Sequence, residues 1–186
     1  GLPSYLMPQL QLIFNQAQYM REIVDMVLDW NSMEAGYSKL KIQKCKLDEW
    51  ITNIVKDFTE EARQKGICIK LQMTTDIEEV WFDKQKCHTV LSNLLMNALK
   101  FSMPESCITI NTRKLENKVR ISVVDEGIGI QDSDITNLFT RFYKGNHKEK
   151  GSGFGLYYAK TIMEMHGGDI GTYNNCLLYT SDAADD

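Results

Sequence analysis

The sequence contains neither a long apolar run nor paired cysteines. No stretch of about 18 apolar residues and no charged-then-apolar leader occurs in its 186 residues, so we expect no membrane span and no signal peptide in this segment. A span elsewhere in a longer parent protein stays open. The five cysteines stand singly, which argues against a zinc site or a disulfide framework and predicts a reducing, cytoplasmic location: Cys45, Cys68, Cys87, Cys107 and Cys176.

Strong charge of one sign is also missing. The 21 Lys and Arg residues nearly balance the 25 Asp and Glu residues, which gives a net charge of −4. Nucleic acids and anionic membranes attract clustered positive charge, so we expect neither nucleic-acid binding nor direct membrane contact by this segment. The hydrophobic share of 43% instead predicts a globular domain with a sizeable core.

The first part of the chain has the pattern of one long helix. Between residues 8 and 35, apolar residues recur at alternating steps of four and three, at Ile13, Ala17, Met20, Val24 and Val27. This repeat fits a helix that packs along another helix, and it equally fits an amphipathic helix that lies on its own domain. Ala35-Gly36 breaks the pattern, so residues 1–38 are predicted to be separate from a main domain at 39–175.

The main domain alternates between helical and strand patterns. Helices are predicted at 46–65, 83–101, 132–140 and 154–166, the second with Asp83 as its N-cap. Strands are predicted at 67–73, 79–82, 107–114, 118–125 and from Asp169 onward, and the third and fourth form a hairpin. Strands that pair mainly through hairpins predict an α+β fold, a two-layer sandwich with its helices on one face of the sheet.

Three short segments have residues suited to binding a nucleotide. In the helix 83–101, Asn93, Asn97 and Lys100 share a face, where amide oxygens could hold a hard cation and an ammonium could hold phosphate. In VVDEGIGI at 123–130, Asp125 ends a strand, and its carboxylate could accept a hydrogen bond from an amino group such as that of adenine. In KGSGFGLYYAK at 150–160, glycines lead into a helix N-terminus, which attracts phosphate oxygens.

Each segment alone also fits a simpler structure. The polar residues of the helix fit a solvated face, and Asp125 with its glycines fits a strand that ends in a turn. The glycine-rich stretch fits an ordinary loop, and it lacks the GK[ST] ending of a P-loop. The order of the three segments is more specific than any one of them.

In this order the segments resemble the nucleotide-binding boxes of histidine kinases in the GHKL ATPase family, whose fold is shared with gyrase, Hsp90 and MutL. NLLMNALKFS at 93–102 resembles the asparagine box and DEGIGI at 125–130 the first glycine box. LFTRFY at 138–143 resembles the phenylalanine box and GSGFGL at 151–156 the second glycine box. The resemblance covers about residues 40–174 and implies the Bergerat ATP-binding sandwich.

The resemblance also implies ATP and Mg²⁺ as cofactors and a role for each matching residue. Asn97 would coordinate Mg²⁺, Asn93 would lie one turn earlier near the phosphates, and Lys100 would contact phosphate. Asp125 would read the adenine amino group. The remaining nucleotide-binding positions would line the base pocket, seat the lid or close over the triphosphate: Gly127, Gly129, Phe142, Tyr143, Gly151, Gly153, Gly155 and Leu156.

Asn93 helps to choose a branch of this family. Hydrolytic members carry a glutamate general base one turn before the Mg-binding asparagine, and an amide cannot take a proton from water near neutral pH. The resemblance therefore favours a sensor histidine kinase, which phosphorylates a histidine for relay to a response-regulator aspartate in cis or in trans. We expect the intact protein to be a homodimer.

Two parts of the sequence depart from the family. None of His88, His147 and His166 lies in a stretch like the phosphoacceptor motif SHELRTP, so residues 1–38 are interpreted as a dimerisation helix without the acceptor histidine. This chain should then bind ATP without phosphorylating itself. Residues 176–186 have no family counterpart, and we expect them to be foreign, read-through sequence that leaves one sheet edge unpaired.

Two other classes of protein stay open. A degenerate domain of the same family could act as a protein-interaction module, although the intact Asn97, Asp125 and lid glycines argue against this. A GHKL serine kinase or ATPase that acts on a separate protein is the second alternative, and the long first helix favours a dimeric sensor kinase over it.

Overall fold

The computed structural model describes residues 6–34, 39–77, 79–144, 152–173 and 177–181. Two compact units divide the chain, Gly1–Lys39 and Leu40–Asp186. The elements follow in this order: α1 (Met7–Glu34), β1 (Gln43–Lys46), α2 (Leu47–Gln64), β2 (Cys68–Gln72), β3 (Glu79–Phe82), α3 (Lys84–Phe101), β4 (Cys107–Leu115), β5 (Lys118–Val124), α4 (Asp132–Ile135), α5 (Gly155–Met165), β6 (Asp169–Tyr173) and β7 (Leu177–Ser181).

The first unit contains the long helix that the apolar repeat predicts. Several of its large apolar side chains are exposed, including Ile13 and Met20 at 65% and Val24 at 53%. Most of the stability of a helix in a protein comes from packing of its apolar face, so such a row is typical of a surface that another helix covers. No helix in the described ranges is both long and apolar enough to span a membrane.

The second unit is built on a five-stranded sheet in the order β2-β4-β5-β7-β6. β2 and β4 run parallel, while the other neighbours run antiparallel. Because parallel neighbours need a crossover connection, β3 and α3 lie between β2 and β4 in the chain. β4 and β5 form the predicted hairpin.

The core lies between one face of this sheet and three helices. Alternate residues of the hairpin are buried, with Ile110 opposite Val123 and Thr112 opposite Ile121. α2, α3 and α5 contact β2, β5 and β6 respectively, and α3 also packs against both other helices. Its buried face is the predicted one: Cys87, Val90, Leu91, Leu94, Leu95, Ala98 and Leu99. The fold is therefore the predicted α+β sandwich with its helices on one face.

Asp83 caps α3 as the sequence predicts. Its carboxylate accepts hydrogen bonds from the backbone N–H groups of Gln85 at 3.1 Å, Lys86 at 3.0 Å and Lys41 at 2.8 Å. Burial alone would raise the pKa of Asp83, but these three donors lower the pKa below its ordinary value. The cap therefore stays charged and holds the start of α3.

His166 ties the end of α5 to the start of α3. Its Nε2 accepts a hydrogen bond from the Asp83 N–H at 3.0 Å, so Nδ1 carries the proton and donates to the Ile162 carbonyl at 2.8 Å. The ring is only 3% exposed, and this burial lowers the pKa of His166 below its ordinary value. The geometry agrees with a structural role. His88 is exposed on α3, and His147 lies outside the described residues.

Two elements differ from the sequence prediction. β1 pairs antiparallel with β3 in a separate two-stranded sheet, where Gln43 lies opposite Phe82. The periodicity does not predict β1, because its four residues QKCK have only one buried side chain, Cys45. The predicted helix at 132–140 is too long, since α4 ends at Ile135 and the residues after it form turns.

The prediction that residues 176–186 leave a sheet edge unpaired is wrong. β7 lies between β5 and β6, with Leu178 opposite Val123 and Thr180 opposite Ile170. Backbone groups make this pairing, so it is compatible with many different side chains. Residues 176 and 182–186 lie outside the described residues, and the origin of this tail stays a prediction.

The prediction of no disulfide is wrong for one pair. Cys68 and Cys107 lie opposite each other in the parallel strands β2 and β4, and a disulfide joins them with their Cα atoms 4.6 Å apart. Because 39 residues separate them in the sequence, spacing alone does not reveal the contact. Cys45 and Cys87 are free and buried, and Cys176 lies outside the described residues.

We expect this disulfide to stabilise the domain under oxidising conditions. Closing a loop with a sequence separation of 39 lowers the entropy of the unfolded chain, which corresponds to about 4 kcal/mol. The free energy of unfolding in urea should therefore fall by up to about that amount when a dithiol reductant is added. A Cys68→Ser/Cys107→Ser variant should lack this dependence. Equal stability of the native chain with and without reductant would contradict the bond.

His166 should make the stability of the domain depend on pH. Since its pKa is lowered in the folded state, the unfolded chain binds a proton first as the pH falls below about 6.5. The contribution of His166 to the free energy of unfolding is thus complete above that pH. It is lost as the pH falls toward the folded-state pKa, at no more than about 1.4 kcal/mol per pH unit. Unfolding free energies between pH 7.5 and 5 should fall less in His166→Gln than in the native chain. An equal fall in both chains would contradict this role of His166.

Candidate functional site

The polar face of α3 forms the centre of the site. Asn93, Asn97 and Lys100 are each half-buried, which fits the lining of a site better than a solvated helix face. The Lys100 ammonium lies 4.6 Å from the centroid of the Phe101 ring. Spacings of four and three residues align the three polar groups along one side of the helix.

The start of α5 meets this face at Asn93. A Cβ atom added to Gly155 would lie 2.8 Å from the Asn93 Oδ1 atom and 3.2 Å from its Cγ atom. Any larger residue would require the Asn93 side chain or the start of α5 to shift, so the asparagine box and the second glycine box are in close contact. The beginning of α5, where a helix has N–H groups without partners inside the helix, therefore lies next to the Asn93 amide, with Leu156 half-buried in the same turn.

Asp125 and Gly127 lie beside the C-terminal end of α3. The Asp125 Oδ1 atom accepts a hydrogen bond from the Gly127 N–H at 2.9 Å, and Gly127 forms an antiparallel bridge with Ser102, which directly follows α3. A Cβ atom at Gly127 would lie 2.5 Å from the Phe101 carbonyl oxygen. This second glycine contact fixes the loop after β5 against the end of α3.

The phenylalanine box meets the second glycine box. A Cβ atom at Gly153 would lie 2.5 Å from the Tyr143 carbonyl oxygen and 2.7 Å from the Phe142 carbonyl carbon. The rings of Phe142 and Phe154 have centroids 5.8 Å apart. Phe142 has a φ of +61° and is 58% exposed. Gly151 lies outside the described residues.

The predicted site residues thus form two groups along α3. Asn93 lies with Gly155, and Gly153 lies with Phe142 and Tyr143. Asp125 and Gly127 lie at the C-terminal end of the helix, next to Phe101 and Ser102. Asn93 precedes Phe101 by eight residues, so the two groups are about 12 Å apart along the axis. Gly129 has a φ of +72° with open space around it, so its backbone and not its packing requires glycine.

The predicted site residues fit a metal ion whose remaining ligands are the phosphate oxygens of a nucleotide. Within the described ranges, no group of three His, Cys, Asp or Glu side chains could hold a metal ion. An asparagine amide supplies one oxygen ligand, and Mg²⁺ commonly completes its shell with phosphate oxygens and water. A cation at Asn97 would therefore depend on bound phosphate.

Asp134 contacts the predicted site residue Tyr143, although its sequence context does not indicate this. Asp134 is 4% exposed, and its Oδ1 atom accepts a hydrogen bond from the Tyr143 hydroxyl at 2.8 Å. That hydrogen bond raises the pKa of Tyr143 above its ordinary value. An acidic residue in the first turn of a helix is common for local reasons, so the pattern contains no signal for this role.

Comparison with known proteins agrees with this geometry. Residues 82–181 match the family described as histidine kinase-, DNA gyrase B- and HSP90-like ATPase. The circadian input-output histidine kinase CikA of Synechococcus elongatus is 27% identical over 167 residues, which is 87% of this chain and 22% of CikA. Among solved structures, the histidine kinase AdeS of Acinetobacter baumannii matches with a TM-score of 0.81 at 19% identity, over 97% of this chain and 86% of that one.

A second similar solved structure is a complex with a partner protein. Histidine kinase ThkA in complex with the response regulator protein TrrA has a TM-score of 0.76 at 23% identity, over 100% of this chain and 53% of that one. The chain belongs to the histidine kinase-, DNA gyrase B- and HSP90-like ATPase family. It spans between 12% and 31% of the length of the first three curated histidine kinases that it matches.

Gly155→Ala should weaken nucleotide binding. The new methyl group would lie 2.8 Å from the Asn93 Oδ1 atom, so either the amide or the start of α5 must shift. Because alanine favours a helix more than glycine does, the change should not weaken α5 itself. We expect the dissociation constant of a Mg²⁺-bound nonhydrolysable ATP analogue, measured by calorimetry, to rise on the order of tenfold.

Gly171→Ala is the matched control for this experiment. A Cβ atom at Gly171 has nothing within 4 Å, so this variant should bind the analogue like the native chain. Native affinity in Gly155→Ala would show that the contact with Asn93 does not shape the site.

Proposed function

We propose that this chain is the ATP-binding catalytic core of a two-component sensor histidine kinase. It would transfer the γ-phosphoryl group of ATP to a histidine outside this sequence, for relay to a response-regulator aspartate. The observation that carries the proposal is the contact between Gly155 and the Asn93 amide, because it places a helix N-terminus beside the polar face of α3. Family membership supports the same conclusion.

Each group of residues has a distinct part in this proposal. Asn97 offers an amide oxygen to Mg²⁺, and Lys100 offers an ammonium to phosphate. The N-terminus of α5 attracts further phosphate oxygens, while Asp125 accepts a hydrogen bond from the adenine amino group. Bound Mg·ATP supplies the phosphoryl group. The protein then contributes orientation and neutralisation of charge, which are the main needs of phosphoryl transfer.

Asn93 supports transfer to a side chain over hydrolysis. An amide cannot act as general base toward water, so the position one turn before Asn97 lacks the group that a hydrolytic enzyme needs. A phosphoacceptor histidine is itself a nucleophile and has less need of such a base. This difference favours a kinase over an ATPase.

The partners follow from the same proposal. The exposed apolar row of α1 suits the helix pairing of a homodimer, and the complex of ThkA with TrrA supports a receiver domain as the acceptor of the phosphoryl group. Both ATP and receiver domains are cytoplasmic, so we place this segment there. Cys68 and Cys107 would then be thiols under ordinary reducing conditions and would form their bond on oxidation.

Calorimetry with a nonhydrolysable ATP analogue and Mg²⁺ tests the binding half of the proposal. Asn97→Ala should lose a metal ligand and Asp125→Ala the adenine acceptor, so each should weaken binding at least about tenfold, or 1.4 kcal/mol. Asn53→Ala and Asp57→Ala, at exposed positions on α2, are matched controls and should bind like the native chain. If the folded native chain does not bind the analogue, a protein-interaction module becomes the better explanation.

Phosphorylation of the parent protein tests the transfer half. With radiolabelled ATP, the parent should acquire the acid-labile label of a phosphohistidine, and Asn97→Ala should abolish it. This chain alone should bind nucleotide and stay unlabelled. Label that survives acid would indicate a serine or threonine acceptor and would contradict a histidine kinase.

A further inference from the structure

The segments before and after residues 145–151 meet in a tight neck. On one side are Phe142 and Tyr143, and on the other are Gly153 and Phe154. The Cα atom of Gly153 lies so close to the backbone of Phe142 and Tyr143 that an added Cβ atom would be 2.5 Å from the Tyr143 carbonyl oxygen. Gly153 also has a φ of +67°, which favours glycine. The position of one side of the neck therefore determines the position of the other.

Asp134 holds this neck through one side-chain hydrogen bond. The Tyr143 hydroxyl donates to Asp134 Oδ1 at 2.8 Å, and the Ser133 hydroxyl donates to the same oxygen at 3.3 Å. Asp134 is 4% exposed, and a buried carboxylate is costly unless it is hydrogen-bonded. The Tyr143 hydroxyl is therefore held by a buried carboxylate and not by an exposed surface group.

The neck is connected to the phosphate side of the site by a short run of chain. Gly153 is followed by Phe154, which is fully buried, and then by Gly155, which contacts the Asn93 amide. A shift at Gly153 would pass through the buried Phe154 to Gly155, because a close-packed core transmits displacement. The adenine side is held separately, by the bridge of Gly127 to Ser102.

We propose that Tyr143 and Asp134 are positioning residues for the phosphate half of the nucleotide site. Their hydrogen bond fixes the positions of Gly153 and Gly155, and Gly155 in turn fixes the position of the Asn93 amide. The adenine half of the site does not depend on this hydrogen bond. This inference rests on the proposed function, since it concerns the same nucleotide. The Tyr143 hydroxyl would thus act through its hydrogen bond to Asp134 and not by contacting the nucleotide.

The test compares a Mg²⁺-bound ATP analogue with adenosine, which lacks the triphosphate and its metal ion. Tyr143→Phe removes the hydroxyl and keeps the ring. We expect the dissociation constant of a Mg²⁺-bound nonhydrolysable ATP analogue to rise about tenfold, the lower end of the effect of one hydrogen bond to a charged group. The affinity for adenosine, followed by the amide chemical shifts of Gly127 and Gly129, should stay within about twofold of the native value.

Two further variants separate positioning from general loosening. Asp134→Asn keeps an acceptor oxygen for the Tyr143 hydroxyl, so it should bind both ligands within about twofold of the native chain. Tyr173→Phe, at an exposed tyrosine on β6, is the matched control and should also bind like the native chain. Thermal melting of each variant confirms that it is folded.

The possible results distinguish this inference from the proposed function. Native affinity for the ATP analogue in Tyr143→Phe would overturn the inference while leaving the function intact. An equal loss for adenosine and the analogue would also overturn it, because the hydrogen bond would then support the whole domain. If the native chain binds neither ligand, the proposed function fails, and the inference fails with it.

Discussion

The close approach of α5 to α3, with Gly155 against the Asn93 amide, fixes the arrangement on which the site depends. This contact would not fix the site if α3 could shift along its axis, but both ends of α3 are also held by hydrogen bonds. At its start, Asp83 accepts three backbone hydrogen bonds and its own N–H donates to His166. At its end, Ser102 is bridged to Gly127. Because His166 belongs to the end of α5, the two helices are joined both at Asn93 and at Asp83, and neither can shift alone.

A helix held in this way keeps the two groups of predicted site residues at a fixed separation. Its rise of about 1.5 Å per residue separates Asn93 from Phe101 by about 12 Å, and this distance does not depend on the loops around it. In the proposed function, the loops supply the groups that contact the nucleotide, namely the Asp125 carboxylate near the C-terminal end of α3 and the N–H groups at the start of α5 beside Asn93. Cβ atoms at Gly127 and Gly155 would fill the space where these loops meet α3, so the glycines of the motif serve close packing as much as access.

Those parts of the fold with local sequence signals can be predicted, and those set by distant contacts cannot. The apolar period of α3 and its Asp83 cap predict both the helix and its buried face, and the alternation in β4 and β5 predicts their hairpin. β1 is missed because its pairing with β3 is non-local and its own pattern is polar. The disulfide is missed for a similar reason, since only the parallel register of β2 and β4 brings Cys68 to Cys107. At the site, the order of the four boxes is a strong signal, whereas the role of Asp134 depends on a tertiary hydrogen bond that no motif contains.

The packing around Asn93 gives a physical reason for the identity of that residue. A glutamate there would be longer by one methylene group, and the existing amide already lies in the space that a Cβ atom of Gly155 would need, with its Oδ1 atom only 2.8 Å from that point. A longer side chain would have to turn away from Gly155 or displace the start of α5. The geometry therefore suits an amide that packs against a helix N-terminus and disfavours a carboxylate that would activate water. The close fit of α3 and α5 at Asn93 thus agrees with the proposal that this chain transfers phosphate to a side chain and does not hydrolyse ATP.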